Sequence, residues 1–548
     1  MRYSLIKRDY AASISPQNVT TSPNALDASN RTLLVLSIVS VTCIAFLGVL
    51  HVFDPLSGDQ ALFLVGAERL HSGGVLYKDF WDLKQPGIYV LYCVAGVLFG
   101  FSQIGVHVAD VCWQVIFAVA VICGLRRGLR DARWAAFAAV AIPGSYLAGS
   151  APWHLVQTEE LAGLPLFLMV WAGLESLADK KHWRWLQLLC GIAAGVALVF
   201  KLMFAIIIAA IALTLALVVL RERGFLEVKR AGFAWSVGLA LPLLAVGIYA
   251  LYHGIVTELF RTSIMLPLEI NATVPQAPWA RFVDGIMRYV LYFRGLIALA
   301  VFGIFLRSDG RTKSWRIIGS VWWIAALLTI VLQRQSWWQY QFLLLVPPTG
   351  MLATFGVSEL SHRVFAKGRF RIAWLGLCGV VSYVAVPLPQ QALDLFHRVI
   401  ELKPYSSEYA LSRYRSSISP EFLQARRDAT ALHASVSDGK IYVLGNPLIY
   451  LESHTLQAVA VNGWAPHLYT PDIWEKWRFE LRMTIPKHVF VLNEFAYALP
   501  AWSPSGAAFM RCAYVNDTKT ADGEWLKPRV LPHSILGEDS ALRHQLII

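Results

Sequence analysis

The chain has 548 residues, 56% of them hydrophobic and 15% charged, where a soluble protein carries about 25% charged residues. The net charge of +12 does not point to nucleic acid, because the Lys and Arg residues cluster in short loops between apolar runs, the pattern of cytoplasmic loops in a membrane protein. Seven cysteines, only Cys512 outside the apolar part, with no CxxC and no Cys/His ligand spacing, argue against a disulfide framework or a structural zinc site.

Residues 1–31 are polar, rich in Ser and Asn, and lack an apolar core, so they are expected to form a disordered cytoplasmic tail rather than a signal peptide. Residues 32–51 are the first span, and Arg2, Lys7, Arg8 and Arg31 before it place the N-terminus inside. The outer loop that follows, 52–103, gathers Asp59, Glu68, Asp79 and Asp82 with Arg69, Lys78 and Lys84. Its apolar piece, 87–101, is about 15 residues long, short for a span of about 20. The loop RRGLRDAR (126–133) is strongly basic and belongs inside, which leaves one crossing, 104–125, between it and residue 58. Residues 87–101 then read as an interfacial or re-entrant helix. Residues 134–150 go out and 159–178 return.

Residues 185–220 would make a single helix of roughly 54 Å, far too long for one span, and both ends are basic. Two short spans with an outer turn near Lys201 follow. Further spans are 231–253, 289–306, 317–332, 340–359 and 372–389, with a long outer loop at 254–288. The fold class is therefore a polytopic α-helical membrane protein of about 11 transmembrane helices, with a transmembrane domain over 32–389. After residue 389 the composition turns polar. The short runs 440–444, 457–461 and 488–492, preceded by a helical stretch at 420–435, read as strands of a C-terminal extracytoplasmic α/β domain over 390–548.

Three clusters fall on the outer side. The first is the opening segment around Asp59 and Lys84. The second is PWHLVQTEE (152–160), with His154, Glu159 and Glu160. The third is QRQSWWQYQF (333–342), with Arg334 and the aromatics Trp337, Trp338 and Tyr340. Ionisable groups gathered at a bilayer are costly unless something binds them. Each has a competing structural reading. In it Asp59 caps an interfacial helix, Lys84 snorkels at the headgroups, Glu159 and Glu160 sit at a solvated helix N-terminus, and the aromatics form an interfacial belt.

Asp59-Gln60, an amphipathic run, GGVLYKDF (73–80), Lys84-Gln85-Pro86 and an apolar run ending Phe99-Gly100 together resemble the first outer loop of the C-type glycosyltransferase superfamily. The resemblance is closest to the bacterial branch related to dolichyl-phosphate-mannose protein mannosyltransferases and the lipid A aminoarabinose transferase. Thr158-Glu159 resembles the family's later Thr-Asp, 191–201 its Gly-rich run ending in lysine, 340–348 its late Tyr-to-Pro run, and KIYVLGNPLIYLESHT (440–455) the start of its outer domain. The resemblance implies transfer of a sugar from a polyprenyl-phosphate donor to a glycolipid, glycan or protein acceptor in the periplasm, with inversion. It makes Asp59 the general base and Glu159 a second acid. Lys84, with Lys201, Arg334 and His154, would bind donor phosphate, and Tyr77, Glu160, Trp338 and Tyr340 would contact substrate. It also implies a multi-pass protein of the bacterial inner membrane, with its N-terminus cytoplasmic and its C-terminal domain periplasmic. The chain departs from the pattern at Gln60, where the family has a second acid, and at His107, where it has an arginine. The first departure weakens metal dependence, so a divalent ion stays an open cofactor and no metal ligands are assigned.

Two other readings stay open at this point. A surface-polysaccharide ligase or polymerase would rest on a large outer loop rich in Arg and His. A lipid-linked sugar transporter or flippase would bury ionisable residues mid-span and show inverted repeats. The topology is testable directly: a cysteine placed at Ser72 should react with an impermeant thiol reagent added outside whole cells, and one placed at Gly128 only after the cells are opened.

Overall fold

The computed structural model describes residues 23–179, 181–305, 310–366, 387–432 and 439–529. These residues fall into two compact units that interleave along the chain. The first draws on residues up to 54, 84–256 and 275–414; the second takes 55–83, 257–274 and everything from 415 on. A single cut at residue 390 therefore does not reproduce the grouping, since two stretches from the apolar half join the C-terminal unit.

In the first unit, nine helices among the described residues are long and apolar enough to cross a membrane. They are Asn30–His51, Gln103–Leu125, Thr158–Ala178, Trp183–Phe200, Leu202–Arg223, Phe225–His253, Trp279–Phe305, Thr312–Leu332 and Gln339–His362. The chain is a multi-pass membrane protein. Two shorter apolar helices accompany the nine, Pro86–Phe99 and Trp134–Gly149. Pro86–Phe99 has 14 residues and is only about 21 Å long, less than a hydrocarbon core of about 30 Å. Pro143 lies in a wide π turn, Val140–Gly144, inside the second short helix, because its ring removes an N–H from the ordinary ladder. The expected span 372–389 lies almost wholly outside the described residues.

Three differences from the sequence reading have local causes. The first helix begins at Pro23, so residues 23–31 are helical rather than part of a disordered tail; Pro suits the first helical turn and Ala and Leu follow it. Residues 1–22 lie outside the described residues. The presumed outer loop 254–288 is largely helical, over Val256–Phe260, Arg261–Met265 and Leu266–Thr273. The next long helix then starts at Trp279, ten residues before the apolar run at 289. Arg288 pairs with Asp284 one turn back at 2.9 Å and supports that added length.

Spans 183–200 and 225–253 pack through small residues. A Cβ on Gly191 would lie 2.0 Å from the Trp235 carbonyl oxygen, and one on Gly238 2.1 Å from that of Leu188. Spans 279–305 and 339–362 repeat the device at Gly303 and Gly356. Backbones that approach this closely make the dispersion contacts that hold helices together in lipid.

The second unit is built on a five-stranded sheet of order β2-β1-β3-β5-β4: β1 Lys440–Leu444, β2 Leu456–Gln457, β3 Val489–Leu492, β4 Tyr514–Lys519 and β5 Gly523–Pro528. β1 runs parallel to β2 and β3, while β5 is antiparallel to β3 and β4. The helical stretch at 420–435 is a helix over Pro420–Thr430. The hairpin β4–β5 has no clear apolar alternation, but its turn contains Asp522-Gly523, and Gly523 donates to Thr520 Oγ1 at 2.9 Å. Residues 76–82 are stitched to this sheet: Trp81 pairs with Val461, and the Asn462 amide donates to the Trp81 carbonyl at 2.9 Å.

Replacing Gly191 with Val should force the two helices apart. A loss of about 1–3 kcal/mol is expected, read as a lower unfolding midpoint of the detergent-purified protein, while Gly232→Val, which meets nothing within 4 Å, should leave the midpoint unchanged.

Candidate active site

In the first unit the outer turn predicted near Lys201 is a true break. The helix Trp183–Phe200 stops, Lys201 is extended (φ −162°, ψ 120°), and a 3-10 turn, Leu202–Phe204, leads into the next helix. Leaving the helical ladder lets the lysine side chain turn inward. Its Nζ lies 2.6 Å from Glu159 Oε1 and 2.6 Å from Gln333 Oε1. The other Glu159 oxygen accepts from Thr158 Oγ1 at 2.7 Å. The Glu159 side chain is wholly buried and that of Lys201 only 18% exposed. The charge of Lys84 also acts on the Glu159 carboxylate. Gln341 donates to Gln333 Oε1 at 3.2 Å and to Ser336 at 2.8 Å, closing the cluster. Sequence reasoning found Glu159, Lys84 and Lys201 and missed Gln333 and Gln341, whose amides carry no charge signal although both fall inside the aromatic third cluster.

Glu160 does not join its neighbour. It is buried against Gln114, whose amide donates to it. His154 is half-buried, and loss of hydration pushes its imidazole down to about 4, leaving it neutral at physiological pH. Arg334 is exposed, and its carbonyl accepts from Ala277. Trp338 is also exposed and lies under the Arg281 guanidinium, 4.5 Å from its centroid. Trp337 is buried and stacks with Trp279 and Phe282, a packing role. Tyr340 is half-buried on the 3-10 turn Gln339–Leu345.

In the second unit Asp59 opens the helix Gly58–His71. Its Oδ1 accepts from the Trp464 indole N–H at 2.7 Å. A Cβ on Gly58 would lie 2.1 Å from the same ring, so the glycine is what allows Trp464 to reach the carboxylate. Gln60 is fully buried and its Oε1 accepts from the Ser57 backbone N–H at 2.6 Å, half of a capping box. The position where the resemblance leads one to expect a second acid is thus engaged in capping the start of the helix. An acid comes instead from far along the chain: Glu421 accepts from the Gly58 backbone, and burial together with the charge of Asp59 holds its carboxyl above the ordinary range. Tyr77 has φ +68° and is buried, its N–H bound to the Phe80 carbonyl at 2.6 Å. Asp79 of the same motif ties the turn by accepting from Val75 at 2.8 Å.

A divalent cation wants six or more oxygen ligands, carboxylates among them. Among the described residues no group of three or more His, Cys, Asp or Glu side chains could hold a metal ion, and the Asp59 carboxylate already takes the Trp464 N–H. This donor set does not fit a divalent site.

Residues 86–249 match the family described as dolichyl-phosphate-mannose-protein mannosyltransferase. Among solved structures, ArnT from Cupriavidus metallidurans bound to undecaprenyl phosphate superposes with a TM-score of 0.56 at 14% identity, over 93% of this chain and 99% of that one. Its apo form matches with the same score at 15% identity, over 90% and 97%. The apo oligosaccharyltransferase of Archaeoglobus fulgidus matches at a TM-score of 0.50 and 14% identity, over 88% of this chain and 73% of that one. No curated protein matches in sequence.

Removing one partner of a buried ion pair strands the other charge. Lys201→Met should therefore cost about 3–5 kcal/mol, seen as a lower thermal midpoint, and adding Glu159→Gln to it should recover most of the loss.

Proposed function

Proceeding from a chain that has the C-type glycosyltransferase fold, we propose that it moves a sugar from a polyprenyl-phosphate donor to a periplasmic glycolipid, glycan or protein at the outer face of a bacterial inner membrane. The observation that carries this reading is the buried cluster of Lys201, Glu159 and Gln333, with the charge of Lys84 acting on the same carboxylate. Such groups inside a membrane protein mark binding sites.

In this reading an acceptor hydroxyl oxygen attacks the anomeric carbon. The bond from that carbon to the phosphate oxygen breaks, and its electron pair leaves with polyprenyl phosphate. Attack from the face opposite the phosphate inverts the centre. The hydroxyl proton passes to Asp59, which acts as general base in its ionised form. The Trp464 N–H on one carboxylate oxygen fixes the direction in which the acid points. Negative charge grows on the phosphate as the bond breaks, and Lys84 and Lys201 offset it. Glu159 and Gln333 hold the Lys201 ammonium in place, so that little reorganisation is needed during transfer.

The test is transfer from a panel of radiolabelled polyprenyl-phosphate sugars to membrane acceptors by the purified protein. Asp59→Asn, which keeps the shape and removes the base, should lower the rate by about 10²–10⁴-fold with the unfolding midpoint unchanged. Undiminished transfer by that variant would remove Asp59 as base, and no transfer from any donor by the folded wild type would remove the reading as a whole.

A further inference from the structure

A second polar cluster lies among the helices of the first unit. Asp110 and Gln114 sit one turn apart on Gln103–Leu125, and the Gln114 amide nitrogen donates to Asp110 Oδ1 at 2.9 Å and also to Glu160 Oε1. Asp110 takes a further hydrogen bond from the Tyr146 hydroxyl, which itself accepts from the Val156 N–H at 3.2 Å. All four side chains are at least nine-tenths buried. Glu160 Oε2 and Gln114 Oε1 have no hydrogen-bond partner. Both residues, with Tyr146, line a small pocket of about 10 Å³ whose other walls are apolar.

Two buried carboxylates bridged by one amide repel each other, and the lining residues include no Lys or Arg. His51 acts on Asp110, but its ring is already engaged on both sides. Nδ1 lies 2.7 Å from Asp54 Oδ2, and Nε2 2.8 Å from the Leu147 carbonyl oxygen. Asp54 in turn accepts from the Tyr414 hydroxyl at 2.7 Å. The His51 ring is therefore committed to Asp54 and Leu147. Glu159, next in sequence to Glu160, faces Lys201 instead. A pair of acids with no dedicated cation is expensive in a membrane interior.

We propose that Asp110, Gln114, Tyr146 and Glu160 form a buried site for one monovalent cation, carried either as a proton on one of the two carboxyls or as a sodium ion. Gln114 Oε1 and Glu160 Oε2, both without a partner, are two hard oxygen ligands at that cavity, with Asp110 and the Tyr146 hydroxyl hydrogen-bonded beside them. The cavity is about the size of one water. That is too small for a divalent ion that keeps part of its hydration shell, and four side chains fall short of the six to eight oxygens of a calcium site. The ion joins three helices through these residues and sets the position of Glu160, and with it the facing of Glu159 one residue away. The proposal stands whether or not the chain transfers sugars, because its readout is ion uptake.

The experiment uses the full-length protein in detergent. In one arm choline is replaced by sodium at constant ionic strength and the unfolding midpoint is followed; in the other the infrared carbonyl band of a protonated carboxyl is recorded in choline. Sodium binding should raise the wild-type midpoint by about 2–4 °C. Proton occupancy should give a protonated-carboxyl band and no sodium response. Glu160→Gln and Asp110→Asn, which neutralise without changing shape, should each abolish whichever signal the wild type gives. Gln114→Ala, which changes no charge, should shift it if the isosteric variants do not fold. A wild type with neither signal, or a signal that survives in every folded variant, overturns the site.

Discussion

The ion pair between Lys201 and Glu159 is the interaction on which the candidate site depends. A lysine inside a 36-residue apolar stretch has two ways to avoid an uncompensated charge in lipid: it can reach the surface, or it can find an acid. Here the helix stops at Phe200, and the lysine turns onto a wholly buried glutamate. The break that shortens two spans to membrane length is thus the same event that builds the charged cluster. Gln333 completes it from the other side with a neutral oxygen, so the ammonium is held without a second negative charge beside it.

Consecutive acids separate two tasks. Residues 159 and 160 differ by about 100° around a helix, enough to send one toward Lys201 and the other toward Gln114 and Asp110. Sequence places both in one cluster because it registers residue type and spacing, not direction. The same ambiguity affects Trp337 and Trp338: the first is packed between Trp279 and Phe282, while the second is exposed under Arg281.

The second unit shows how a short early segment acquires a structure it could not hold alone. Residues 55–83 contain one helix and a tight turn, too little apolar surface for a core. They are completed by backbone pairing of Trp81 with Val461 and by the Trp464 indole on Asp59. The orientation of the proposed base is consequently set by a residue about 400 positions away, and Gly58 is required because any side chain there would displace the indole.

Composition and charge patterning were sufficient to determine the multi-pass architecture, the break at Lys201, the helix near 420 and the strands near 440 and 489, since each follows from local periodicity and from the cost of charge in lipid; the middle run at 457–461 is strand only at its first residue, and the parallel pairing came from the fold. Glu159, Lys84 and Lys201 could also be picked out by their charge in apolar surroundings. Hydrogen-bond partners could not be picked out. Gln333, Gln341, Trp464 and Glu421 are ordinary residues until long-range packing sets them against a charge. Which of two adjacent side chains faces the cluster, and which distant element closes it, is decided by the angles at which helices pack and by pairings across hundreds of residues. A linear pattern does not encode those.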